Sequence, residues 1–214
     1  MLPVIFCVIT LVFLVLFYWS VNWNRRVIYI AVPWILFIAM LSFNGFFTYT
    51  DTVPPRFLIV FIGNLLFVML MLKYIKQNQF KDTIGLSIHA LRVVVELILY
   101  ELYITKQIPK IMTFEGYNFD ILIGVSAIGL LVWSYLFKSG LTKYLLLMWN
   151  VVGLLFLVNI VVIAIFSAPL PMQQFAFDQP NKAVLYFPYI LLPAFIVPVV
   201  FVTHIVSLKT LLNK

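Results

Sequence analysis

The sequence predicts an all-α integral membrane protein, a bundle of about seven transmembrane helices with the N-terminus outside and the C-terminus in the cytoplasm. Three observations carry this. Hydrophobic residues make up 64% of the 214 residues and charged residues 10%, where a soluble domain carries roughly 25% charged. The mean hydropathy is +1.12. The apolar residues also fall into runs of membrane-spanning length, roughly 20 residues each, separated by short polar stretches. A soluble fold of this size could not hide so much apolar surface. The chain reads as one transmembrane domain, 1–214, with polar segments that are loops rather than a second domain.

The runs, in order, are 2–19, 27–43, 57–72, 83–103, 120–137, 144–166 and 186–208. The first has no Lys or Arg ahead of its apolar core and no small-x-small cleavage site. It is expected to stay as a mature helix rather than to be removed as a signal peptide. Pro33 lies inside the second run, where membrane helices tolerate it if neighbours satisfy the freed carbonyl. Pro188, Pro193 and Pro198 all fall in the seventh. A kink or a broken turn is expected there.

Loop charge gives the orientation. Arg25, Arg26, Lys73, Lys76, Lys81, Lys138, Lys143, Lys209 and Lys214 belong to one set of loops and the C-terminal end. Arg56, Lys106, Lys110 and Lys182 belong to the other, and Arg92 lies within a helix. The positive-inside rule puts the larger set in the cytoplasm. The formal charge of +7 is therefore a topology signal, and the lipid bilayer is the expected partner. Scattered over short loops, these residues make no patch for nucleic acid. Cys7 is the only cysteine, so one chain can form neither an internal disulfide nor a thiolate cluster.

The fourth run, TIGLSIHALRVVVELILYELY, holds the chemistry. An Arg or Asp at a helix centre costs roughly 2.5–3.5 kcal/mol to insert, yet this run carries His89, Arg92, Glu96 and Glu101. At helical periodicity His89, Arg92, Glu96, Tyr100 and Tyr103 share a stripe about 80° wide, with Glu101 off it. Such a stripe should turn toward the bundle or a wet cavity. Arg92 and Glu96 are four residues apart and are expected to pair along the helix. The stripe reads either as a substrate, ion or proton site or as a structural lock between helices.

His204, in the seventh run, is the other histidine, at a depth similar to that of His89. Two histidines on different helices could ligate a metal or a b-type haem; hydrogen-bonded structural histidines are the alternative. The loop 105–121 brings Glu115, Asn118 and Asp120 close together, with Gly116 suited to a tight turn and Glu101 at the same end. These groups could hold a hard cation such as Ca²⁺. They could instead cap the next helix through Asn118 or Asp120, with an ion pair to Lys106 or Lys110. The loop 167–189 carries Phe175, Phe177, Tyr186, Phe187 and Tyr189, read as an interfacial aromatic belt or as a lid over an outward cavity. Asn64, Asn150 and Asn159 are expected to make interhelical hydrogen bonds.

No nucleophile elbow, zinc-protease motif, P-loop or dinucleotide fingerprint is present. The two halves share no repeat motif of the sugar-transporter type, and the last run has no central lysine to hold retinal. The run HALRVVVELILYELYITKQIPKIMTFEGYNFD and the end FPYILLPAFIVPVVFVTHIVSLK resemble bacterial multi-pass membrane proteins that carry no assigned activity. That resemblance implies the bacterial inner membrane and brings no catalytic residue with it. Three functional classes follow from the residues. One is a small transporter or an ion- or proton-translocating protein that uses the fourth-helix stripe. The others are a membrane-embedded enzyme or haem b protein, and a non-catalytic membrane scaffold. A homo-oligomer is compatible with each.

Overall fold

The computed structural model describes residues 1–137 and 141–213. Among them the chain is helical without strands. The order is α1 (Leu2–Ser20), α2 (Arg25–Phe43), α3 (Leu58–Tyr74), α4 (Asp82–Ala90), α5 (Arg92–Ile104), α6 (Asp120–Leu136), α7 (Lys143–Ser167) and α8 (Val197–Leu212). α4 and α5 are two parts of one rod, so the helices form seven rods. Five of these are long and apolar enough to cross a membrane: Leu2–Ser20, Arg25–Phe43, Asp82–Ile104, Lys143–Ser167 and Leu192–Leu212. Leu58–Tyr74 and Asp120–Leu136 are shorter apolar helices.

The outward faces are made of leucine, valine, isoleucine and methionine; Leu36, Leu65, Leu155 and Met148 are each more than 60% exposed. Side chains that a soluble fold would bury cover this surface, which is compatible with lipid as the solvent. The rods differ in depth. Half of the α4–α5 window and 61% of the α8 window are buried, against 22–28% for α1, α2 and α7. The most polar rod and the proline-rich rod are thus the centre of the bundle, and the plainest apolar helices surround them.

The fourth rod is not the single helix that 83–103 implied. It breaks at Leu91 (φ −64°, ψ −16°), and Val94 N–H donates back to the Leu91 carbonyl at 3.0 Å. The break places Arg92 in the first turn of α5. Close to it, α6 runs so near that a Cβ on Gly124 would lie 2.8 Å from the Val93 backbone nitrogen. Asp120, Gly124 and Ala127 are buried on this face of α6. Small residues of this kind let membrane helices approach, and the approach brings Asp120 to Arg92.

The seventh rod begins later than 186. Residues 183–185 form a 3₁₀ turn, Leu192–Ile196 form a π turn, and α8 follows. Pro198 has no N–H, so the carbonyls of Pro193 and Ala194 lose the donor that either an i+5 or an i+4 bond would supply. Two side chains replace it. Asn64 Nδ2 donates to the Pro193 carbonyl at 2.8 Å, and Trp34 Nε1 donates to that of Ala194 at 2.7 Å. The irregular turn therefore persists because α2 and α3 satisfy its exposed backbone.

Lys81 N–H donates to the Ser20 carbonyl at 2.8 Å and Asn24 Nδ2 to that of Tyr74 at 2.9 Å, gathering loops 21–24 and 75–81 at one end. At the other end Gln179 Nε2 donates to the carbonyls of Tyr103 and Ile108 at 3.0 and 2.6 Å. Most of the larger basic set shares the first end; Lys138 and Lys214 lie outside the described residues. Tyr189 departs from the belt reading. It is buried, with its ring 5.3 Å from that of Phe6.

Candidate functional site

His89, Arg92 and Glu96 are each 2–3% exposed, so the polar stripe faces the interior across the break at Leu91. Its internal pairing differs from the sequence expectation. Arg92 Nη2 forms a buried ion pair with Asp120 Oδ1 across α5 and α6, and not with Glu96 along its own helix. The close approach at Gly124 explains the choice. It presents a rigid, short carboxylate to the guanidinium, whereas Glu96 has another partner.

That partner is Asn118. Its Nδ2 donates to Glu96 Oε1 and Oε2 at 2.8 and 2.7 Å and to the Met112 carbonyl at 3.0 Å. Its Oδ1 accepts from the Asp120 backbone N–H at 3.1 Å. One amide thus meets the start of α6, closes the loop and holds Glu96. Asn118 and Asp120 are both buried here, but neither is the N-cap of α6, which is Phe119; Asn118, one residue earlier, accepts from the Asp120 backbone.

The other side of Arg92 reaches α8. Arg92 Nη1 donates to His204 Nε2 at 3.2 Å, and His204 Nδ1 faces Asn150 Oδ1 at 2.9 Å. Asn150 Nδ2 donates to the Leu146 carbonyl at 2.8 Å and to Ser207 Oγ at 3.3 Å. These partners fix the tautomer. Arginine can only donate and an amide oxygen can only accept, so Nδ1 of His204 carries the hydrogen. The imidazole is seated by a glycine, since a Cβ on Gly153 would fall 2.4 Å from His204 Cε1.

His89 lies against His204 with ring centroids 3.9 Å apart and an interplanar angle of 29°. Trp149 flanks both. This packing does not fit a haem held between the two histidines. The rings touch each other where a porphyrin would have to lie, and both nitrogens of His204 are taken. Nδ1 of His89 is buried without a hydrogen-bond partner among the described residues, and His89 lines a pocket of about 130 Å³ with Asp82, Ser134, Asn150, Thr203 and Ser207.

The remaining expected site residues lie apart from this chain. Glu115 is exposed, accepts from Tyr100 Oη at 3.0 Å and faces Lys110 Nζ at 3.5 Å. Tyr103 is half-buried and Glu101 exposed. The loop carboxylates therefore split between the surface and the core instead of converging on a cation. Among the described residues no three His, Cys, Asp or Glu side chains are gathered as a metal site. Gly116 is required by close approach, since its Cβ would meet the Lys110 carbonyl at 2.4 Å. Asn159 donates to the Tyr117 carbonyl at 2.7 Å, tying α7 to the loop rather than to a helix.

Sequence reading missed the links between rods. The role of Asp120 was hidden in a loop motif, and Gly153 carried no signal of a histidine opposite it. The spacing Asp120, Gly124, Ala127 was the one legible hint, a small-residue face that starts with a carboxylate.

A family model described as Domain of unknown function (DUF8737) matches residues 55–212, more than half of the chain. The chain belongs to this family. The DUF8737 match takes in α3 to α8, and with them every residue of the buried polar chain; α1 and α2 precede it. No curated protein and no solved structure matches the chain.

Proposed function

We propose that this chain is a membrane-embedded protein that translocates protons or small cations. The observation that carries the reading is the buried polar chain. It runs from the 105–119 loop, through Glu96, Asn118, Asp120, Arg92, His204 and Asn150, to Ser207 and the pocket beside His89. Ionisable groups at membrane depth are costly and mark pathways by default. This set holds two carboxylates and one guanidinium, so it is one positive charge short when all are ionised. A proton or a monovalent cation from outside would balance it.

Arg92 is the moving part in this reading. It bridges Asp120 on one side and His204 on the other. A proton on Asp120 removes the charge that holds Nη2 and frees the guanidinium to swing. A proton at His204 Nε2 removes the acceptor that holds Nη1. Alternate loss of the two contacts gives two discrete arrangements, which alternating access requires. The break at Leu91 supplies irregular backbone next to the arginine, where it faces protein rather than lipid.

Liposomes containing the purified protein and a trapped pH dye test this. Under an imposed potassium diffusion potential, proton influx should exceed that of protein-free vesicles. Asp120→Asn and Arg92→Gln should reduce it at least tenfold, and Glu115→Gln should leave it unchanged. Vesicles as tight with the protein as without it, to protons and to sodium or potassium tracers alike, would remove the reading.

A structural lock is the second reading. It is favoured by a specific fact: Glu96 lines neither the pocket beside His89 nor the apolar pocket at the loop end. In either case we place the chain in a lipid bilayer, and in the bacterial inner membrane by its resemblance. The end with loops 21–24 and 75–81 then lies in the cytoplasm. In a Cys7→Ser background, cysteines at 73–82 should resist an impermeant reagent added outside intact cells, and cysteines at 170–180 should react. The opposite labelling would reverse the orientation.

A further inference from the structure

The bundle holds a second pocket, about 150 Å³, at the end that carries loops 105–119 and 168–191. α3 and α7 flank it with Val60, Phe61 and Val161, and Leu170 and Val184 come from the loop over it. A cavity of about this volume lined by apolar side chains accommodates a benzene-sized molecule. The lining is apolar except for Asn64 and Asn181.

These two amides are alike in their hydrogen bonds. Asn64 Nδ2 is committed to the Pro193 carbonyl at 2.8 Å, and Asn181 Nδ2 to the Ala164 carbonyl at 3.2 Å. The Oδ1 of each is buried and has no hydrogen-bond partner among the described residues. Asn181 is fully buried. A buried acceptor without a donor is costly, and two in one apolar pocket ask for one. No Lys, Arg, Asp or Glu lines the pocket. A carboxylate or phosphate head would find no cation, and an ammonium would find no counter-charge, so desolvation excludes both.

We infer that this pocket binds a small membrane-soluble alcohol, a ring or short apolar chain whose hydroxyl donates to Asn181. The lipid phase supplies such molecules, and the outer loop closes over the bound one. The site is separate from the buried polar chain and does not depend on translocation.

The test uses radiolabelled benzyl alcohol and the protein in nanodiscs, with empty nanodiscs subtracted. Saturable binding near one per chain is expected. Anisole, its isomer without the donor, should compete about tenfold more weakly, as loss of one hydrogen bond to a buried acceptor implies. Asn181→Leu should bring benzyl alcohol down to the level of the ether. Val161→Trp should fill the pocket and abolish saturable binding while the protein melts as wild type. The ether comparison is made on the wild-type protein, so it stands even if a variant fails to fold. Absence of saturable binding, equal competition by alcohol and ether, or binding that survives Val161→Trp in folded protein would overturn the proposal.

Discussion

Replacing Arg92 by leucine should destabilise the protein by about 3 kcal/mol or more, and so should Asp120→Leu, because each leaves the other charge buried and unpaired. The double change Arg92→Leu with Asp120→Leu should recover most of that loss. The pair is enclosed, with both side chains under 10% exposed, and removing both charges leaves neither of them without its partner. Unfolding in mixed detergent micelles measures the three variants against wild type. Glu96→Gln should be milder, because Asn118 can still donate to the amide oxygen. The same variants in liposomes separate the two readings of function. A structural lock predicts that stability is the property lost, and that it returns with the double change. A translocation path predicts that stability returns and flux does not. Additive losses from the two single changes would deny the partnership itself.

The pairing of Arg92 shows where sequence stopped being informative. The cost of charge in lipid forces the stripe inward whatever the fold, so the burial of His89, Arg92 and Glu96 was legible from spacing alone. The order of the seven rods was legible from the apolar runs, and five of them are long and apolar enough to cross a membrane. Partner choice is a different kind of fact. It depends on which helix comes close, and closeness was set at Gly124, whose neighbour across the gap no periodicity reveals. Glu96 looked like the natural partner at i+4, an interaction worth only about 0.2–0.5 kcal/mol on a helix surface. A carboxylate brought in by tertiary packing outcompetes it easily. Pro198 illustrates the intermediate case. Its sequence announced an irregular turn, but not that Trp34 and Asn64 would supply the missing donors. The stacking of His89 on His204 follows the same rule: equal depth was readable, contact was not.

Gly153→Ala should damage the protein at the seat of His204. The new Cβ would sit 2.4 Å from His204 Cε1 and 2.7 Å from Nε2. A side chain with free rotamers could step aside, but this imidazole is held at both nitrogens, by Arg92 and by Asn150. Moving the ring breaks at least one of these bonds, and moving α7 opens its packing on α8. Overpacking of this sort costs about 1–3 kcal/mol, and a lost hydrogen bond to a buried charged group adds about 1.5–3 kcal/mol. Gly129→Ala in α6 is the control. Nothing lies within 4 Å of its Cβ, so the methyl should stabilise by about 0.5–1 kcal/mol through helix propensity alone. The sharper measurement is the cycle with His204→Ala. Once the ring is gone, the methyl at 153 meets empty space, and its penalty should fall to within about 0.5 kcal/mol of zero. A penalty unchanged in that background would mean that Gly153 serves the approach of α7 to α8 and not the seat of the histidine. Flux completes the comparison. If His204 Nε2 holds Arg92 for translocation, Gly153→Ala protein that remains folded should conduct no better than His204→Ala.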